Sequence, residues 1–407
     1  MTLLLDMLQP GMRIFLPGST AEPTALLDAV LCDPSRSAGL NILTSFVPGI
    51  NRFDFDRWDS SAHIVGLFGR PHRGEVGGAV YRNLPVSYSG FATMLAIDPK
   101  PIDLAVVQVA LPGNDGCCSM GLAAEFMPSV LTRARRTVAL LNPNMPDLPG
   151  SPRVRIDQFA AMIETGTALP TYIDGDIDDV TDRIARHIAP FVVDGATLQS
   201  GLGKIPTGLL RCLCDRRGLR LHSGMYGGGV RVLAEAGALD PIAEHRACVA
   251  VGSPEFYDWL SGRGEFRIDG CELTHDMATL CAIPRFVAIN SAIEVDLFGQ
   301  CALEHVAGQS VSGAGGAPDF ARAARLCRDG LSVVALPATA GREQRSRIVS
   351  RLAAPAIATL ARTEIDIIVT EHGAADLRFL TVEERADALI AIAAPQHRTT
   401  LTDGRRG

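Results

Sequence analysis

The stretch Thr197-Leu-Gln199-Ser-Gly201-Leu-Gly203-Lys204-Ile205-Pro206-Thr-Gly-Leu209-Leu210 reads as a strand end, a glycine turn and a helix start. Glycine lets a chain turn sharply as it leaves a strand. Proline suits the first turn of a helix, where its missing N–H would have no partner. A second copy stands near the beginning: Gly18-Ser-Thr-Ala-Glu-Pro23-Thr-Ala-Leu26-Leu27. Both run glycine, four residues, proline, two residues, Leu-Leu. Recurrence of one supersecondary unit predicts a duplicated domain. The boundary is expected near residue 188, giving domains over 1–188 and 189–407.

Outward from these turns, short β-rich apolar runs recur and mostly stop at Gly, Pro or Asn. They include Met12–Leu16, Ile42–Phe46, His63–Phe68, Leu104–Leu111, Val138–Leu141, Val287–Leu297, Val333–Leu336 and Ile365–Val369. Helix-like stretches rich in Ala, Leu and Arg lie between several of them, such as Ala317–Leu326 and Thr381–Ile392. The alternation predicts the α/β class with largely parallel sheets. In such sheets polar chemistry collects in the loops at the carboxyl ends of strands.

Composition narrows the function. The chain is 407 residues long and 47% hydrophobic, enough for two or three folded domains. A net charge of −7 and no basic cluster argue against nucleic acid as a partner. No apolar stretch is long enough to span a bilayer, and the start, with Asp6 and Pro10, does not read as a signal peptide. Ten cysteines are too sparse for a disulfide scaffold. The pairs Cys117-Cys118 and Cys212-x-Cys214 are not joined to a second pair at zinc spacing, so no metal is expected. The cytoplasm is the expected location.

Three loops could carry chemistry. The turn at Gly201 offers backbone N–H groups at a helix start, suited to a thioester oxygen, a carboxylate or a phosphate. It lacks the Walker ending and the dinucleotide fingerprint. A second glycine loop is Ser310-Val-Ser312-Gly313-Ala-Gly315-Gly316-Ala317-Pro318-Asp319. Ahead of it, Asn290-Ser-Ala-Ile293-Glu294-Val-Asp296 sets two carboxylates in an apolar run, where a charge needs a partner. Glu294 is either a general base or, with Asp296, part of a salt-bridged or edge-exposed pair. His372, in Thr370-Glu371-His372-Gly373, reads as a structural hydrogen bonder or a catalyst.

Taken in order, the segments LQSGLGKIP, LHSGMYGGGVRVL, INSAIEVDLFGQ, SGAGGAPDF, SRIV, VTEHGAADLR and ERADALIAIAAPQHR resemble the acetyl-CoA hydrolase/transferase family, which includes acetate and 4-hydroxybutyrate CoA-transferases. The similarity runs from about Gly11 to Arg398. It implies two duplicated CoA-transferase-type domains facing each other, coenzyme A in the cleft between them, and a homo-oligomer such as a homodimer. It implies an acyl-CoA or carrier-bound acyl substrate and a second small-molecule acceptor; the lack of a bilayer-length apolar stretch argues against a membrane partner. The substrate and CoA contacts it implies are Gly201, Leu202, Gly203, Lys204, Ile205, Ser223, Gly224, Met225, Tyr226, Ile293, Gly313, Gly315 and Gly316. For the phosphates of CoA, Arg342, Arg345, Arg347 and Lys204 are available.

Family members react through a glutamyl-CoA thioester, with the nucleophilic Glu in a motif like Gly-Ile-His-Thr-Glu-Met. The matching residues here are Leu221-His222-Ser223-Gly224-Met225, so the nucleophile position is Gly224. Two further positions depart from the pattern, at Gly228 and Ala317. Three readings follow. The chain is a thioester enzyme working without the glutamyl intermediate, with His222 and Glu294 as candidate bases. Alternatively it is an inactive acyl-CoA-binding or regulatory homologue, or a subunit whose partner brings the missing Glu.

Overall fold

A computed structural model describes residues 1–52, 54–69, 78–306, 309–354 and 356–405. The chain forms two compact units. The first takes Met1–Tyr172, Arg246–Thr274 and Val311–Gly315; the second takes Ile173–His245, His275–Ser310 and Gly316–Gly407. Each unit is thus assembled from several stretches of chain. Ile188, at the expected boundary, ends a helix inside the second unit. The α/β expectation holds in both. Among the described residues no helix is long and apolar enough to cross a membrane.

The first unit is built on β1 (Arg13–Leu16), β2 (Asn41–Thr44), β3 (His63–Gly66), β4 (Val80–Asn83), β5 (Leu104–Val109), β6 (Thr137–Leu141) and β7 (Ala161–Glu164). They lie in the order β4-β3-β2-β1-β5-β6-β7, every pair parallel. A parallel sheet is covered on both faces, so its strands read as continuous apolar runs. All six residues of β5 are buried. Ile14, Leu16, Ile42, Ile64, Leu104, Val106 and Val138 form one core with Leu26, Leu27 and Val30 of helix α1 (Thr24–Cys32). The Leu-Leu pair of the repeat is therefore the face of α1 that packs on the sheet.

The second unit repeats the plan with β8 (Thr197–Ser200), β9 (Arg220–Leu221), β10 (Phe286–Ser291), β11 (Leu331–Ala335), β12 (Ile367–Thr370) and β13 (Gly373–Asp376). Their order is β9-β8-β10-β11-β12-β13, parallel except for the final hairpin. Helix α2 (Asp179–Ile188) precedes the sheet, and α3 (Lys204–Cys212) follows the Gly201 turn. Helix α4 (Ala317–Leu326) packs Phe320, Ala323 and Ala324 against Phe286 and Ala288 of β10. Helix α5 (Val382–Ala391) starts at a capping box between Thr381 and Glu384. In both sheets the next strand in sequence lies on one side of the first, and later strands lie on the other. Each unit therefore has a topological switch point, beside β1 and β5 in the first and beside β8 and β10 in the second.

The run Val287–Leu297 is two strands, not one. The chain leaves the main sheet after Ser291, and Glu294–Asp296 joins a separate small sheet with Cys301–Ala302 and Ile348–Val349. Asp296 is buried because it closes a turn: its carboxylate accepts from Phe298 N, Gln300 N and Gln300 Nε2 at 3.0, 2.9 and 2.7 Å. Three local hydrogen bonds supply the partner that a buried charge requires.

Candidate active site

Crevices at the carboxyl ends of strands, where strand order reverses, are where open α/β sheets bind ligands. In the second unit β8 runs into Gly201-Leu202-Gly203. Gly203 has φ of 112°, a conformation L side chains rarely adopt, and a Cβ at Gly201 would meet no atom within 4 Å. The turn is tied by a residue the sequence reading missed. Asp174 Oδ1 accepts from Gly203 N at 2.8 Å, and Oδ2 accepts from Thr207 Oγ1 at 2.6 Å. One N–H of the turn is thus already committed. Lys204 faces Asp178 at 3.6 Å. Asp174 lies about thirty residues upstream, and no local pattern connects it to the turn.

Near the carboxyl ends of β8 and β10 two buried amide atoms lack a partner among the described residues: Gln199 Oε1 and Asn290 Nδ2. Leaving a buried polar atom unpaired costs roughly 1–3 kcal/mol, so such atoms mark strain or a ligand position. The first unit differs at its own switch point. Ser19 Oγ and Ser45 Oγ donate to Glu125 Oε1 and Oε2 at 2.7 and 2.6 Å; Gly18 N donates to Ser45 Oγ, and Asn51 bonds both Ser19 N and Ser19 O. Gln108 of β5 donates to Glu22 O and accepts from Asn142. Ser19, Thr20 and Ala21 are fully buried. Burial raises the Glu125 carboxyl above its ordinary value, opposed by the serine hydroxyls. A polar network of its own side chains fills this copy, whereas the second copy keeps polar atoms unsatisfied.

Past β9, His222 N donates to Leu198 O at 2.9 Å, which continues the sheet edge, and the His222 ring meets Phe286 edge-on at 6.3 Å. Ser223 Oγ donates to Ser200 O at 2.8 Å and accepts from Met225 N at 3.4 Å. This holds the Gly224 segment against the end of β8. Tyr226 is fully buried. Gly224 itself does not need to be glycine. Its φ lies outside the left-handed region, and the nearest atoms to a Cβ there would be His275 Nε2 at 3.5 Å, Phe320 Cε2 at 3.6 Å and His275 Cε1 at 3.7 Å, all ordinary contacts. Gly316 is the opposite case, because a Cβ there would stand 2.5 Å from His275 Nε2 and 2.8 Å from Phe320 Cε2.

His275 is therefore the side chain that both Gly224 and Gly316 approach, and the sequence reading missed it. It is 1% exposed, packs on Phe320 with ring centroids 4.7 Å apart, and follows a short helix with no motif around it. Burial lowers its pKa to about 3, with His222 acting in the same direction. The imidazole is neutral at physiological pH. The remaining sequence candidates lie elsewhere. Glu294 and Ile293 line a cavity of the second unit with Arg347 and His305. In the first unit, Gly313 takes the only fit open to it, because a Cβ would stand 2.3 Å from Leu67 O; Gly315 passes its carbonyl to Tyr88 N at 3.0 Å. His372 has Glu371 at 3.7 Å, and Glu371 accepts from Ala338 N at 2.8 Å. Among the described residues, neither Cys117-Cys118 nor Cys212 with Cys214 takes part in a group of metal-type ligands.

Comparison with known proteins agrees with this architecture. Residues 252–404 match the family model of the acetyl-CoA hydrolase/transferase C-terminal domain. The 4-hydroxybutyrate coenzyme A transferase of Clostridium kluyveri is 29% identical over 96% of this chain and 92% of its own. The butyryl-CoA:acetate CoA-transferase of Anaerostipes caccae is 32% identical over 78% of this chain and 74% of its own. The crystal structure of RipA from Yersinia pestis superposes with a TM-score of 0.89 at 26% identity, covering 99% of this chain and 95% of that one. The chain belongs to the acetyl-CoA hydrolase/transferase family.

Proposed function

We propose that this chain is an acyl-thioester enzyme that transfers or hydrolyses an acyl group of coenzyme A, or of a related carrier, without a glutamyl-CoA intermediate. The observation that carries the reading is the surroundings of Gly224. A Cβ there would make only ordinary contacts, and the direction it would take leads to a buried, neutral imidazole. The position where relatives carry a nucleophilic Glu thus has no side chain although its backbone does not require glycine, as a route without a glutamyl intermediate needs. In the reaction, water or an acceptor oxygen attacks the thioester carbonyl carbon. The C–S bond breaks as the tetrahedral oxyanion collapses, and the thiolate leaves to take up a proton. Backbone N–H groups of the glycine loops stabilise the oxyanion. His275 serves as a neutral hydrogen-bonding partner beside Gly224, and His222 and Glu294 are the groups to test for proton transfer.

Mass spectrometry of the purified protein with a panel of acyl-CoA esters, with and without carboxylate acceptors, tests this. The expected result is free CoA or a new acyl product with no protein adduct. Intact thioester in every mixture would refute the enzymatic reading in favour of an acyl-CoA-binding homologue. A covalent CoA adduct on a glutamate would refute the non-covalent route.

A further inference from the structure

The first unit contains a cavity of about 520 Å³ at the amino ends of its strands, the edge of the sheet opposite its switch point. Strand register builds it. Arg13, Asn41 and His63 open β1, β2 and β3 and stand side by side across the sheet, with Leu43 and Val65 paired two residues further along. Side chains alternate between the faces of a strand, so these five share the face opposite Ile14, Ile42 and Ile64 of the core. A parallel sheet is ordinarily apolar on both faces. Here this face starts with a polar row, and Leu43, Val65 and Pro101 supply the apolar part of the cavity wall.

The charges on the wall are not equivalent. Arg13 is committed, with Nη1 donating to Lys100 O at 2.7 Å and Nη2 paired with Asp98. Asp98 also accepts from Lys100 N at 2.9 Å. Burial would raise its carboxyl, but that N–H and the Arg13 and Lys100 charges hold it below the ordinary range. Asp103 accepts from Arg13 N at 2.9 Å and pairs with Arg135 at 3.1 Å. The two carboxylates are thus offset by two guanidiniums. Lys100 is the exception. Both its backbone groups are held, by Asp98 and Arg13, while its ammonium makes no hydrogen bond or ion pair among the described residues. The exposed His63 ring on the same wall has no partner among them either. An ammonium only donates, so what complements it is an acceptor, and a single free positive charge beside an apolar wall suits a monoanion with a hydrocarbon body. A second negative charge on the ligand would face Asp98 and Asp103.

We propose that this cavity binds a small monocarboxylic acid, its carboxylate on the Lys100 ammonium beside His63 and its hydrocarbon part on Leu43, Val65 and Pro101. The site is built from the first unit alone and does not depend on the acyl-thioester reading.

Lys100 and Lys204 are the only lysines of the chain, so the site can be read directly by magnetic resonance. Reductive methylation with isotope-labelled methyl groups tags both and keeps their charge. Titration of the full chain with hexanoate at constant ionic strength should move the Lys100 signal along a saturating curve and leave Lys204 in place. Adipate and 1-hexanol, of the same carbon number, should bind at least about tenfold more weakly. Calorimetry on unmodified protein should find hexanoate weakened about tenfold in Lys100→Gln and within about threefold of native in Lys100→Arg. Lys100 is exposed, so both variants keep the fold. Hexanoate binding that leaves the Lys100 signal unmoved, or that survives in Lys100→Gln, would place the acid elsewhere and overturn the proposal. Equal affinity for adipate or 1-hexanol would overturn the choice of a monocarboxylate, and no binding of hexanoate would overturn the site itself.

Discussion

At Gly224 the absence of a side chain is a chemical fact and not a backbone requirement. A Cβ there makes ordinary contacts of 3.5 to 3.7 Å, so Gly224→Glu meets no clash at its Cβ and should fold. Intact-protein mass spectrometry of that variant with acyl-CoA is expected to show an added CoA less one water. A folded variant with no adduct would remove position 224 from the reacting centre. His275 gives a second prediction. Its folded pKa of about 3 lies below the ordinary 6.5, so the unfolded chain binds the proton more tightly. The stability contributed by the neutral imidazole is complete above about pH 6.5 and is lost as pH falls towards 3, at about 1 kcal/mol per pH unit. Urea unfolding between pH 4 and 7 should show that slope in the native protein and a flatter one in His275→Asn. Equal slopes would show that burial does not hold the imidazole neutral.

At the scale of the element, the Gly201 turn depends on a carboxylate from outside it. Asp174 accepts from Gly203 N and Thr207 Oγ1, bridging the turn and the first turn of α3 as an N-cap residue would. Asp174→Ala should cost about 1 kcal/mol, read as a lower urea midpoint with an unchanged m-value. It should also raise the KM for a thioester more than it lowers kcat, because the turn loses its fixed geometry. A variant with native KM would separate the turn from substrate binding. The repeat itself was legible because Gly, Pro and Leu-Leu are local signals. The strand Glu294–Asp296 was read as part of a longer one because apolar run length does not show where a chain leaves one sheet for another.

For the whole molecule, duplication does not give two equivalent sites. The first unit closes its switch point with Ser19, Ser45, Asn51 and Glu125; the second keeps Gln199 and Asn290 unsatisfied. Titration should therefore find one acyl-CoA per chain, and two would show that the Glu125 network opens to ligand. Ser19 and Glu125 both adopt positive φ, of 51° and 40°, which non-glycine residues hold only when the surrounding structure over-determines them.

The sequence by itself determined the α/β class, most strands of both sheets and the family to which the chain belongs. These rest on local periodicity, turn residues and motif strings, which are encoded within a few neighbours. Only the tertiary structure decided how each unit gathers separate stretches of chain, that the second copy leaves Gln199 and Asn290 atoms unpaired, that Asp174 ties the Gly201 turn, and that His275 stands beside Gly224. It also separated Arg342 and Arg347 from Arg345, which is committed to Glu343. These facts depend on contacts between residues tens of positions apart and on which polar atoms burial leaves unpaired. Neither is written in any single stretch of the chain.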